Sequence, residues 1–132
     1  MNDETKKRIL IVDDSTDILF ALRLFFQLKG YAVKTLSEGS GISAEVENFQ
    51  PDVLLMDVLV CAIDGREICK NLRERAETRD IGILLSSASP AYLKNYKKYA
   101  NDCIEKPFDL NFLAEKVDSV FLSLPVQKYT IQ

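Results

Sequence analysis

The sequence predicts an α/β fold, a parallel β-sheet covered by helices on both faces, and three observations predict it. Short apolar runs recur along the chain, stretches of helical period fall between them, and 132 residues are a one-domain length. The runs are nearly continuous rather than alternating, as expected of strands buried on both faces.

The elements follow in order. Ile9–Val12 is the first strand. Thr16–Lys29 reads as the first helix, capped by Ser15 and stopped by Gly30. Tyr31–Leu36 and Ile42–Phe49 form the second strand and helix, and Val53–Met56 and Gly65–Ala76 the third pair. Ile81–Leu85 is the fourth strand and Ala91–Tyr99 the fourth helix. Cys103–Ile104 is a weak fifth strand. Leu110–Leu122 closes the series as a helix capped by Asp109, with Leu110, Leu113, Val117, Val120 and Phe121 on one face. The expected organisation is a polar segment over 1–7, one domain over 8–123 and a short tail over 124–132. No repeat or second domain stands out, so action by protein contact and membership of a longer protein both stay open.

Composition narrows the function classes. The hydrophobic fraction of 47% and the charged fraction of 28% fit an ordinary globular core rather than disorder. A net charge of −3 gives no reason to expect nucleic-acid binding. The polar N-terminus lacks the apolar centre of a signal peptide, and no apolar run approaches a membrane span. The three cysteines lack metal-ligand spacing and are expected to be reduced thiols of a cytoplasmic protein. There is no histidine, so any histidine chemistry must come from a partner.

In an open parallel sheet, ligands bind beyond the carboxyl ends of the strands. Asp13 and Asp14 end the first strand, Asp57 the third, Ser86 and Ser87 the fourth and Lys106 the fifth. A strand-end aspartate is often only a cap, and a lone lysine only a surface charge. Their coincidence on one rim carries the chemistry. Carboxylates gathered together repel, and a hard divalent cation such as Mg²⁺ relieves that repulsion. One carboxylate can then attack phosphorus, while Lys106 and the Ser87 hydroxyl neutralise and orient the phosphoryl oxygens. Spacing alone does not choose between Asp57 and Asp14 as nucleophile.

The stretches Ile9-Leu-Ile-Val-Asp-Asp14, Asp52-Val-Leu-Leu-Met-Asp57, Ile63-Asp-Gly65, Leu84-Leu-Ser-Ser-Ala88 and Ile104-Glu-Lys-Pro-Phe108 resemble those of response-regulator receiver domains, over about Lys7 to Leu122. The resemblance implies a flavodoxin-like sheet of strand order 2-1-3-4-5. It implies that Asp57 accepts a phosphoryl group from the phosphohistidine of a histidine kinase or phosphotransfer protein. It further implies Mg²⁺ ligation by Asp14, by Asp13 largely through water, by Asp57 and by the Leu59 backbone carbonyl. Ser87 would move onto the phosphoryl group, Lys106 would pair with Asp57, and Pro107 would follow across a cis bond. Such a protein is a switch, not an enzyme with a free substrate.

Several positions depart from the family's pattern. Val60-Cys61 stand where Met-Pro is frequent, and Leu59 stands where polar residues are frequent. A bulky apolar Leu59 is expected to hinder hydrolytic water and slow dephosphorylation. Cys103 replaces the usual aromatic, and the stretch from Ser87 to Lys106 is about three residues short, so a short or partly irregular fourth helix is expected. These changes fall on the face that relatives use for output and dimerisation, where a homodimer is possible.

On the first helix, Ile18, Leu22 and Phe25 form the expected core face. Leu24 and Leu28 are expected to pack against the last helix, leaving Phe20 exposed as a contact for the kinase or phosphotransfer partner. Tyr92, Tyr96 and Tyr99, interleaved with Lys94, Lys97 and Lys98, read as partly packed tyrosines beside solvated lysines. Two rival classes stand beside the switch. One is a phosphorylation-independent interaction module of receiver fold. The other is an aspartate-dependent phosphatase, for which the compact chain has no room for a substrate cap.

Overall fold

The computed structural model of the chain describes residues 6–125. The expected segments 1–7 and 124–132 therefore lie largely outside the described residues. The elements run β1 (Arg8–Val12), α1 (Thr16–Leu28), β2 (Ala32–Leu36), α2 (Ile42–Phe49), β3 (Val53–Asp57), β4 (Leu59–Val60), β5 (Ile63–Asp64), α3 (Gly65–Glu74), β6 (Gly82–Ser87), β7 (Asp102–Glu105) and α4 (Leu110–Leu122). The main sheet has the order β2-β1-β3-β6-β7, and every pairing in it is parallel. Counting its strands alone, this is the expected 2-1-3-4-5. β4 and β5 form a separate antiparallel hairpin that the sequence reading did not anticipate.

Alternation along each strand divides the core into two layers. Ile9, Ile11, Val53, Leu55, Leu84 and Ile104 face one side, packed with Leu19, Leu22 and Phe26 of α1 and Leu113, Val117 and Val120 of α4. Leu10, Val12, Leu54, Met56, Ile83 and Leu85 face the other, packed with Val46 of α2, Cys69 and Leu72 of α3, and Leu93. Ser15 accepts from the Ile18 N–H and Asp109 from the Phe112 N–H, so both expected caps form.

Three expectations are corrected. The core face of α1 is centred on Leu19, Leu22 and Phe26, with Ile18 and Phe25 only partly buried. Leu24 and Leu28 do not pack under α4. They are exposed along with Phe20, at 46, 88 and 57%. The α-helix expected over Ala91–Tyr99 is instead two short 3₁₀ turns, Pro90–Leu93 and Tyr96–Lys98. Asn95, with φ of 60°, separates them. The Arg73 guanidinium fixes the end of this segment. It donates to the carbonyls of Tyr99, Arg79 and Ile81 and to Asn101 Oδ1, at 2.6–2.8 Å. Tyr96 and Tyr99 pack partly against the second core layer, while Lys94, Lys97 and Lys98 are exposed, as expected.

Candidate functional site

The site is assembled by the register of the sheet. Asp57 ends β3 opposite Ser86, and Val58 N–H donates to the Ser86 carbonyl at 2.9 Å. Lys106 follows β7, and its N–H donates to the Ser87 carbonyl at 2.9 Å. Asp13 follows β1 and donates its N–H to the Leu36 carbonyl at 3.1 Å. Adjacent parallel strands thus deliver Asp13, Asp57, Ser87 and Lys106 to one rim.

Lys106 is the centre of the arrangement. Its Nζ lies 2.5 Å from Asp13 Oδ2 and 2.6 Å from Asp57 Oδ2. Burial works against the ammonium charge, but the hydrogen bonds it donates to Asp13 and then Asp57 outweigh it and hold the Lys106 pKa above the ordinary lysine value. Asp13 is buried, and its Oδ1 accepts from the Ser15 N–H at 2.9 Å, while Asp57 Oδ1 accepts from the Leu59 N–H at 3.0 Å. The Lys106–Pro107 peptide bond is cis, as expected.

Other expected site residues make their hydrogen bonds outside the Lys106 cluster. Asp14 is exposed and its Oδ2 accepts from the Cys61 N–H at 3.4 Å. The Ser87 hydroxyl is buried and accepts from the Ser89 N–H at 3.0 Å. The Leu59 side chain is 40% exposed beside Asp57. Cys61 and Ala62, at the hairpin turn, both have positive φ, of 49° and 67°. Gly65 lies directly beneath the loop. A Cβ there would approach the Asp57 carbonyl to 2.9 Å and the Val58 carbonyl to 3.0 Å, so the position excludes a side chain.

The sequence reading missed two residues beside the site. Asp64 caps α3 by accepting from the Arg66 N–H, and it holds the Arg66 guanidinium in a two-pronged pair. Aspartate before Gly65 with Glu67 three residues on is a helix-start signal that was legible. The Cys61 amide contact with Asp14 had no such signal.

Among the described residues, no three acidic or thiol groups lie close enough to form a ready-made metal cage. The donors at the rim are all hard oxygens, which suits Mg²⁺. That ion typically takes one or two carboxylates and completes its shell with water and phosphate oxygens rather than an all-protein cage.

A family model described as response regulator receiver domain matches residues 9–118. The chain is 29% identical over 113 residues to the DNA-binding dual master transcriptional regulator RpaA of Synechocystis sp., covering 83% of this chain and 47% of that protein. It spans about half the length of the curated relatives it matches. A putative response regulator from Chloroflexus aurantiacus superposes with a TM-score of 0.81 at 29% identity, covering 89% of this chain and 98% of that one. The receiver domain of a sensor histidine kinase from Pseudomonas aeruginosa, solved with magnesium coordinated in its active-site cleft, shares the fold. Its TM-score is 0.77 at 22% identity, over 89% of this chain and 99% of that one.

Proposed function

The chain belongs to the response regulator receiver domain family, the phosphoryl-accepting switches of two-component systems, and we propose that its switch is Asp57. An Asp57 carboxylate oxygen attacks the phosphorus of a phosphohistidine on a histidine kinase or phosphotransfer protein. The nitrogen–phosphorus bond breaks as the oxygen–phosphorus bond forms, and the leaving imidazole stays on the partner. What carries this reading is the Lys106 ammonium, 2.6 Å from Asp57 Oδ2 and therefore positioned to follow charge onto a phosphoryl oxygen.

Asp13, Asp14, Asp57 and the Leu59 carbonyl would hold Mg²⁺, the ion coordinated in the cleft of the Pseudomonas receiver. Bound there, it supplies neutralising charge at the phosphoryl oxygens. Asp14 must turn from the Cys61 amide to join it. Ser87 exchanges its bond from Ser89 for one to the phosphoryl group, and Leu59 shields the acyl phosphate from water. Peptide mapping of the phosphorylated chain tests the assignment. The modification belongs on the peptide carrying Asp57, and its appearance on Asp13 or Asp14 contradicts it.

We further propose that the unit runs from 8 to 123, works in the cytoplasm, and acts through protein contact or relay. No helix among the described residues is long and apolar enough to cross a membrane. For the donor, we favour the exposed α1 surface carrying Phe20, whose ring lies under the Arg23 guanidinium. A different face of α1 borders a cavity of about 420 Å³ against the loop after β7, lined by Ile18, Ala21, Pro107 and Phe108 among others. A Phe20→Ala chain phosphorylated by its kinase at the wild-type rate contradicts that choice. The second reading, a phosphorylation-independent binding module, is favoured by one observation, the replacement of the fourth helix by 3₁₀ turns.

A further inference from the structure

We propose that Arg66 and Tyr92 are positioning residues that tie the Asp57 loop to the Ser87 hydroxyl through a closed ring of contacts. The proposal rests on the reading of Asp57 as the phosphoacceptor, and it names how the state of that residue is passed on.

The ring can be followed atom by atom. Leu59 donates its N–H to Asp57 Oδ1 at 3.0 Å and stands opposite Asp64 across the β4–β5 hairpin. Asp64 accepts from the Arg66 N–H at 2.9 Å and from its guanidinium at 2.9–3.2 Å, so the carboxylate is both helix cap and ion-pair partner. The guanidinium lies over the Tyr92 ring, 5.3 Å from its centroid. Tyr92 belongs to the 3₁₀ turn Pro90–Leu93, and its N–H donates to the Ser89 carbonyl at 3.1 Å. Ser89 in turn donates its N–H to Ser87 Oγ at 3.0 Å. Ser87 lies beside Ser86, the residue in register with Asp57, and the ring closes.

The chemistry of each link sets the consequence. Ser87 Oγ already serves the Ser89 amide. If it swings to a phosphoryl oxygen on Asp57, the start of the 3₁₀ turn loses its acceptor and the turn must re-seat. Tyr92 rides on that turn. A planar guanidinium stacked on an aromatic face and fixed edge-on by a carboxylate cannot follow the ring without shifting the carboxylate as well. That carboxylate caps α3, and the Asp64 backbone stands opposite Leu59 in the register of the hairpin. The turn and the first turn of α3 therefore respond together. The ring uses none of the residues of β7, so it operates with Cys103 in place of an aromatic.

Amide hydrogen exchange on the full chain tests the proposal. It is measured with and without acetyl phosphate and Mg²⁺, with intact mass taken on the same samples so that variants are compared at equal adduct occupancy. In the wild type, exchange changes on phosphorylation both in the turn after Ser89 and in the first turn of α3. In Tyr92→Ala the change in the 3₁₀ turn persists, while that in α3 shrinks by about two- to fivefold, the size of an exposed cation–π contact. Tyr92→Phe keeps the ring and restores it, and Arg66→Lys loses the fork and behaves like Tyr92→Ala. A Tyr92→Ala chain whose α3 responds as the wild type does overturns the proposal, as does adduct-bearing wild type that changes in one segment only. A wild type that forms no adduct and shows no Mg²⁺ affinity by titration overturns the phosphoacceptor reading itself, and the ring with it.

Discussion

Lys106 Nζ stands 2.6 Å from Asp57 Oδ2 while also touching Asp13, so one ammonium holds two carboxylates that would otherwise repel. Asp13 is the more buried of the two, with a side chain 6% exposed against 16% for Asp57. Replacing Lys106 by Met leaves a buried carboxylate without its cation. We expect Lys106→Met to lower the unfolding free energy in Mg²⁺-free buffer by about 1–3 kcal/mol, the range for leaving a buried polar group without its partner. Adding Asp13→Asn to that variant should recover part of the loss, because the orphaned charge is gone. Urea unfolding of the two single variants and the double variant measures the coupling. Strictly additive effects would contradict the bridge.

We expect Leu59 to set the lifetime of the phosphoryl group. Its side chain is 40% exposed beside the acceptor and offers no hydrogen bond to an attacking water. Leu59→Asn should shorten the acyl phosphate half-life by about tenfold, a barrier change near 1.4 kcal/mol. The decay of the mass adduct after removal of the donor provides the measurement, and an unchanged half-life removes Leu59 from the account.

Alkaline pH should destabilise the fold through Cys69. Burial pushes its thiol up to about 12, from an ordinary value of 9.0. Above pH 9 the unfolded chain releases this proton while the folded chain keeps it. The unfolded state then binds fewer protons, and stability falls as pH rises. The contribution is complete below pH 9 and is lost progressively as pH climbs toward 12. Tyr31, buried and bonded to Asp118 at 2.6 Å, is shifted in the same direction. Unfolding free energies of wild type and Cys69→Ala should therefore converge as pH rises across that window. Parallel curves would show that the thiol does not titrate differently in the two states.

Much of the fold was legible because its strands are buried on both faces and so stand out as apolar runs. α2 and α4 begin and end where the periodicity placed them. α1 was harder, since from Ile18 to Leu28 only Arg23 and Gln27 are polar. With so little contrast, the wheel could be turned by one residue, and the true face is Leu19, Leu22 and Phe26. The 3₁₀ segment hid behind tyrosines at helical spacing. What holds its end is the Arg73 guanidinium on three backbone carbonyls, and carbonyl acceptors leave no mark in a sequence. At the site, strand ends gave the positions of Asp13, Asp57, Ser87 and Lys106. Side-chain directions were not readable, which is why the turning of Asp14 to the Cys61 amide and of Ser87 to Ser89 emerged only in three dimensions.

The central claim is that Asp57 is a Mg²⁺-dependent phosphoacceptor, and intact mass after incubation with acetyl phosphate tests it most directly. Wild type and Asp57→Ala are compared with and without Mg²⁺. The account predicts an acid-stable, base-labile adduct of one phosphoryl group in wild type with Mg²⁺, and none in the other three samples. An adduct that persists in Asp57→Ala contradicts the assignment. No adduct in any sample, together with no Mg²⁺ affinity by titration, contradicts the switch and leaves a binding module of receiver fold.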